Sequence, residues 1–146
     1  YILQACDIEK TVLITGASGT LGTELIKQLS ETSNYKIYAL TTRKKVLLSY
    51  FSGINNLVCF DREDWENGKI PWSKIDVLIH CAFTIISDGE KLVASLNFTR
   101  EIFEDAQRGG VLAIINISSR SVYGRKQHQY VQITYMQWQN TLANCF

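Results

Sequence analysis

Short apolar runs alternate along the chain with segments of helical period. Thr11-Val12-Leu13-Ile14-Thr15 is β-branched and apolar and is closed by Gly16, which predicts a buried strand. The period then changes: Leu21, Leu25, Ile26 and Leu29 recur at helical spacing, with Lys27 and Gln28 between them. Ser33-Asn34 marks a turn, Lys36 to Thr41 reads as a second strand, and Leu57 to Phe60 as a third. Val46 to Phe51 is apolar and fits a short helix, and Arg62 to Lys69 fits a polar loop or a helical turn. Pro71 precedes a fourth strand, Val77 to His80. Leu92, Leu96, Thr99, Phe103 and Ala106 share one face of a long helix that Gly109-Gly110 would end. Val111 to Ile117 is a fifth strand, Gln127 to Gln132 is polar, and Tyr135 to Phe146 reads as a last helix.

Near-continuous apolar strands separated by helices imply a parallel sheet covered on both faces. Right-handed crossovers then favour a doubly wound α/β fold over another α/β topology. A length of 146 residues predicts one domain, with residues 1–9 as a leader segment.

Composition narrows the partners. At 46% hydrophobic and 20% charged residues, the chain matches globular proteins and not disordered or fibrous ones. Its longest apolar runs, such as Val111 to Ile115, fall far below the ~18 residues of a membrane span, and its start lacks signal-peptide character. Fifteen basic residues against fourteen acidic ones, with no charge block, give no reason to expect nucleic acid or a membrane as partner. Cys6, Cys59, Cys81 and Cys145 are scattered, so neither a disulfide framework nor a metal site is expected, and a reducing, cytoplasmic location is. A chain that starts at Tyr1 and has its one methionine at Met136 is expected to be processed, trimmed or partial.

The main candidate chemistry lies between the first strand and the first helix, in Gly16-Ala17-Ser18-Gly19-Thr20-Leu21-Gly22. A lone glycine pattern is weak, but strand-then-helix is the context that phosphate binding needs. Gly16 allows the tight turn, Gly19 lets the backbone approach a pyrophosphate, and Gly22 permits close packing of helix and strand. Unpaired N–H groups at the helix start then meet the phosphates. Gly16, Ser18, Gly19, Thr20, Leu21 and Gly22 are therefore candidate cofactor contacts. The bland alternative is a glycine turn that binds nothing.

With Thr15 before it, this Gly-x-x-Gly-x-x-Gly loop resembles that of the short-chain dehydrogenase/reductase superfamily. More narrowly, the chain resembles the extended branch, the NAD-dependent epimerase/dehydratase family that acts mostly on nucleotide sugars. Further segments carry the likeness. Asp61 resembles the family's adenine-contacting aspartate, and His80-Cys81-Ala82 its cofactor-lining H-x-A segment. Asn97 falls where the family has a supporting helix asparagine, and Ser118-Ser119-Arg120-Ser121-Val122-Tyr123-Gly124 resembles its S-S-x-x-V-Y-G signature. The resemblance implies a Rossmann-type NAD(P)-binding domain, with Asp61, Arg62, Cys81, Ala82 and Phe83 as further cofactor contacts. His80 reads as a packed or hydrogen-bonded strand-end residue rather than a catalyst, and Asp61 and Asn97 have bland readings as a solvated loop acid and an exposed helix position.

An NAD-preferring site places a carboxylate at the end of the second strand. Here the stretch Ala39-Leu40-Thr41-Thr42-Arg43-Lys44-Lys45 holds no carboxylate, three cations and two hydroxyls. Arginine suits a 2′-phosphate because its planar fork gives paired, charge-assisted hydrogen bonds. NADP(H) is therefore the expected cofactor within the NAD(P) pair, with Arg43 as main contact and Thr42 beside it.

The family chemistry requires a tyrosine acid/base, a lysine four residues later and a serine or threonine. A free tyrosine has a pKa of roughly 10, and a nearby ammonium lowers it. Ser119 matches the family serine, and Tyr135 is the candidate tyrosine at the start of the last helix. Gln139 then stands where the lysine is expected; it can hydrogen-bond a ribose but supplies no charge. Tyr130 is a rival, followed at the same distance by Thr134, and Arg125 and Lys126 have no assigned role. With Phe146 as its last residue, the chain is expected to lack the family's C-terminal substrate region; the resemblance implies that an intact epimerase needs roughly twice this length. One expectation is thus the cofactor domain of an enzyme with a small-molecule, nucleotide-sugar-like substrate, with a homodimer as an allowed assembly. The others are a non-catalytic NAD(P)-binding module, or a structural oligomerisation partner without ligand.

Overall fold

The computed structural model describes residues 9–32, 34–83 and 88–117, and the backbone of 133–137. In chain order it contains β1 (Lys10–Thr15), α1 (Thr20–Ser30), β2 (Tyr35–Leu40), α2 (Lys44–Tyr50), β3 (Leu57–Phe60) and α3 (Arg62–Glu66). A 3₁₀ turn (Trp72–Lys74), β4 (Val77–His80), α4 (Gly89–Gly109), β5 (Ala113–Ile117) and β6 (Ile133–Gln137) follow. The two ambiguous stretches, at 46–51 and 62–69, are thus helical over α2 and α3.

The strands form one sheet in the order β3-β2-β1-β4-β5-β6. Pairing is parallel from β3 through β5, with Thr15 level with Leu40 on one side and His80 on the other. This is the expected doubly wound arrangement, and the strand order reverses at β1 and β4, where such folds open a crevice for ligand. Its two apolar layers explain the continuous hydrophobicity of the strands. Val12, Ile14, Ile37 and Ala39 pack with Ile26 of α1 and Leu47 of α2 on one face. Leu13, Tyr38, Leu40 and Leu78 pack with Trp65 of α3 and Ile102 and Ala106 of α4 on the other.

Two expectations are corrected. The expected face of α4 holds over its second half, where Thr99, Phe103 and Ala106 turn inward with Ile102, but not over its first: Leu92, Val93 and Leu96 are exposed, and Ser95 and Phe98 face the cavity instead. The helix must meet the sheet through its second half and the site through its first. Tyr135 does not open a helix. It lies in β6, antiparallel to β5 and level with Ile115. Ile133, Thr134 and Tyr135 are β-branched or aromatic residues, and β5 would otherwise present an unpaired edge of N–H and C=O groups.

Elements around the reversal point are tied by buried polar contacts. Thr99 of α4 donates its hydroxyl proton to the Ser95 carbonyl at 2.9 Å, so its oxygen accepts from His80 Nε2 at 3.0 Å. His80 Nδ1 then accepts from the Thr15 hydroxyl at 2.7 Å. A neutral imidazole thereby joins β1, β4 and α4. Burial alone pushes the His80 pKa down to about 4. At the far end of α4, Gly110 takes the left-handed conformation at φ 77° and ends the helix, as expected. A Cβ at Gly109 would stand 2.4 Å from Cβ of Trp72, so only glycine lets the 3₁₀ turn lie against the helix.

Two outcomes follow from these ties. Gly109→Ala should lower stability by about 1–3 kcal/mol in urea titrations through overpacking, whereas Gly89→Ala, with open space around it, should change little. Because the His80 pKa is lower folded (about 4) than unfolded (6.5), the unfolded chain binds the extra proton first. Stability should therefore be intact above pH 6.5 and fall as pH drops toward 4, by on the order of 3 kcal/mol. Urea titrations of the wild type and His80→Gln across that range measure it; an equal slope in both would reject the assignment.

Candidate functional site

A cavity of about 480 Å3 opens at the reversal point, within the roughly 300–1,000 Å3 of small-molecule and cofactor sites. Gly16, Ser18 and Gly19 form its floor after β1. Gly16 has φ 65°, and a Cβ there would lie 2.8 Å from the Ala82 amide nitrogen, so glycine is required both by the turn and by the neighbouring loop. A Cβ at Gly22 would meet the Gly16 carbonyl at 2.6 Å and Ala17 Cα at 2.7 Å. Gly22 therefore serves the packing of α1 on its own loop, rather than on a strand as expected. A Cβ at Gly19 has one protein neighbour, the Gly16 carbonyl at 3.2 Å. Gly19 is the N-cap of α1 and has no side chain to satisfy the first-turn amides, which the helix itself cannot bond. With no acidic residue in that turn, this end of the helix favours an anion.

The end of β2 builds a second polar group. Buried Thr41 donates its hydroxyl to Ser18 Oγ at 2.7 Å and accepts from the Arg43 amide at 3.1 Å. The Arg43 guanidinium reaches back to the Ser18 carbonyl at 3.1 Å and to Ser18 Oγ at 3.4 Å. Thr42, Thr41 and Leu40 continue the cavity wall. Of the cations expected here, Lys44 is turned away: it pairs with Asp64 of α3, which also accepts from Lys69 at 2.7 Å. These bonds hold the Asp64 carboxyl well below the usual carboxylate range and raise both lysines.

Beyond β3, Asp61 is the N-cap of α3. Its Oδ1 accepts from the Asp64 amide at 2.9 Å, and Asp64 returns a carboxylate oxygen to the Asp61 amide at 3.2 Å. Its other oxygen faces Lys44 at 3.9 Å. Asp61 thus stands beside the cavity, and Arg62, next in sequence, lines it. After β4, Cys81, Ala82 and Phe83 form the opposite wall. Burial pushes the Cys81 thiol up to about 11, so it acts as an apolar surface there.

Gly16, Ser18, Gly19, Thr42, Arg62, Cys81, Ala82 and Phe83 of the expected set therefore converge on one cavity. Thr20, Leu21, Gly22, Arg43 and Asp61 flank it. Leu40, Lys91, Ala94, Ser95 and Phe98 also line it and were missed; Ser95, Phe98 and Ile102 recur at helical spacing and carried the signal. Asn97 is exposed on α4 and is absent from the wall. Ser119 and Gln139 lie outside the described residues, as do Tyr130, Arg125 and Lys126. Tyr135 is placed by the backbone of β6 alone. Among the described residues there is no group of three or more metal-ligating side chains, and no helix long and apolar enough to cross a membrane.

Solved structures share this architecture. UDP-glucuronic acid 4-epimerase from Bacillus cereus, in complex with NAD, is 26% identical, with a TM-score of 0.63 over 80% of this chain and 42% of that one. The terminal R domain of the myxalamid PKS-NRPS pathway is 22% identical, with a TM-score of 0.64 over 86% of this chain and 40% of that one. UDP-N-acetylglucosamine 4-epimerase from Methanobrevibacter ruminantium M1 is 18% identical, with a TM-score of 0.59 over 85% and 42%. The last two share the fold alone, and the chain spans about two fifths of the length of each structure. No curated protein sequence matches it significantly. The NAD dependent epimerase/dehydratase family matches residues 12–141, nearly the whole chain, and the protein belongs to that family.

Proposed function

We propose that the chain is the dinucleotide-binding part of an NAD(P)-dependent epimerase/dehydratase acting on a nucleotide-sugar-like substrate. The observation that carries this reading is the glycine floor. Gly16 and Gly22 are required by protein contacts, but among the described residues a Cβ at Gly19 would meet one carbonyl, and Gly19 heads a helix with no side-chain cap. That cradle fits a diphosphate. In the bound state the nicotinamide would supply hydride exchange. The chain's own residues bind and orient the dinucleotide: the α1 amides hold the diphosphate, and the Cys81–Phe83 wall excludes water from it.

NADP(H) is the preferred cofactor in this reading. Arg43, Ser18 and Thr41 already form a hydrogen-bonded group at the end of β2, with no carboxylate among the described residues of the cavity wall to repel a 2′-phosphate. Lys44 is neutralised by Asp64 and Lys45 lines a separate surface hollow with Val46, Ser49 and Tyr50, which leaves Arg43 as the phosphate partner. Ser119 and Tyr135 remain the candidates for proton transfer with substrate, and Gln139 for a ribose contact.

A second reading, a binding module without turnover, draws on β6. Tyr135 lies within the strand Ile133–Gln137 rather than at the start of a helix, so it does not begin the helical turn on which the family chemistry sets its tyrosine. Turnover of a nucleotide-sugar substrate by the full-length protein separates the two readings.

The cofactor assignment has a direct test. The protein should bind NADP+ more tightly than NAD+ in calorimetric titrations. Arg43→Leu should weaken NADP+ by roughly 10- to 100-fold, the worth of a charge-assisted hydrogen bond, and should leave NAD+ nearly unchanged. Tighter binding of NAD+ by the wild type would overturn the preference.

A further inference from the structure

The glycine floor offers a diphosphate only neutral amides. Residues 20–23, the first turn of α1, are Thr, Leu, Gly and Thr, with no cation among them. Among the described residues that line the cavity, the charged ones are Arg62 and Lys91. Arg62 stands on the β3 side and is bonded at 2.7 Å to Glu66 of its own helix. Lys91 stands on α4, which follows β4, and β4 is the neighbour of β1 across the reversal point.

We propose that Lys91 is the cation that meets the dinucleotide diphosphate and thereby selects ligands that carry one. Its position is adverse for the helix itself. Lys91 sits in the first turn of α4, where the helix dipole disfavours positive charge. Asp88 gives it slight relief: one carboxylate oxygen caps the Glu90 amide at 3.0 Å, and the other faces Lys91 Nζ at 3.6 Å. That pair is largely solvated and weak. The ammonium is therefore available to a doubly charged group in the same cavity.

Topology divides the labour between the two cations. Arg43 follows β2, on one side of β1, and Lys91 lies beyond β4, on the other. A diphosphate over the glycine floor lies between them, with the adenosine ribose toward β2. Arg43 then addresses a phosphate on that ribose, and Lys91 addresses the diphosphate.

This inference rests on the dinucleotide reading, and the test separates the two. Dissociation constants are measured for ADP, 2′-AMP and NADP+ with the wild type, Lys91→Gln and Lys91→Arg. Lys91→Gln should weaken ADP and NADP+ about five- to twentyfold at low salt, and the loss should shrink in high salt as screening grows. Binding of 2′-AMP should stay within twofold, and Lys91→Arg should retain most of the ADP affinity. Unchanged ADP affinity in Lys91→Gln, beside tight binding by the wild type, would overturn the role of Lys91 alone. A parallel loss of ADP and 2′-AMP would also overturn it, since it would show an effect through the fold. Failure of the wild type to bind ADP or NADP+ would overturn the dinucleotide reading, and this inference with it.

Discussion

The site rests on a contact between two backbones. Gly16, at the end of β1, lies so close to the loop after β4 that a single methyl group would stand 2.8 Å from the Ala82 nitrogen. Parallel pairing of Thr15 with His80 brings the two loops level. The left-handed turn at Gly16 then sends the chain into α1 rather than onward over the sheet. With a side chain at position 16 the loops would part, and the α1 amides would no longer face the wall formed by Cys81, Ala82 and Phe83.

Around that contact the protein disposes its charges by subtraction. The stretch after β2 holds Arg43, Lys44 and Lys45, but Asp64 binds Lys44 and holds α2 against α3. What faces the cavity is a short polar set: Ser18, Thr41, Thr42 and Arg62 on one side, with Arg43 bonded to Ser18 at the flank, and Ser95 and Lys91 on the other. The histidine at the end of β4 is spent on structure. Its two nitrogens bond Thr15 and Thr99, and its neutral state suits a position enclosed by Phe98 and Phe103.

The legible part of this protein is what local pattern encodes. The runs at β1, β2 and β4 are apolar because inner strands are covered on both faces, whereas the edge strand β3 leaves Val58 exposed, and Gly16, Gly19 and Gly22 announce a turn whose reasons are steric. The wall at Cys81–Phe83 followed from the family likeness of three adjacent residues. What escaped depends on partners remote in sequence. Leu92 and Leu96 have the spacing of a buried face, yet α4 turns Ser95 and Phe98 to the cavity because Ile102 and Ala106 must reach the sheet. Asp61 reads as a cofactor contact, and that its carboxylate also caps α3 is a use that only Asp64 reveals. The segment at Tyr135 reads as the start of a helix, yet Ile133, Thr134 and Tyr135 suit a strand and the open edge of β5 decides it.

The central claim is that the first-turn amides of α1 hold a diphosphate. Backbone amide chemical shifts of the isotope-labelled protein, followed as NADP+ is added, test it most directly. The account predicts the largest downfield changes at Thr20, Leu21 and Gly22, with saturation; the Gly19 amide already donates to the Gly16 carbonyl at 2.9 Å. Binding with those three amides undisturbed would contradict it.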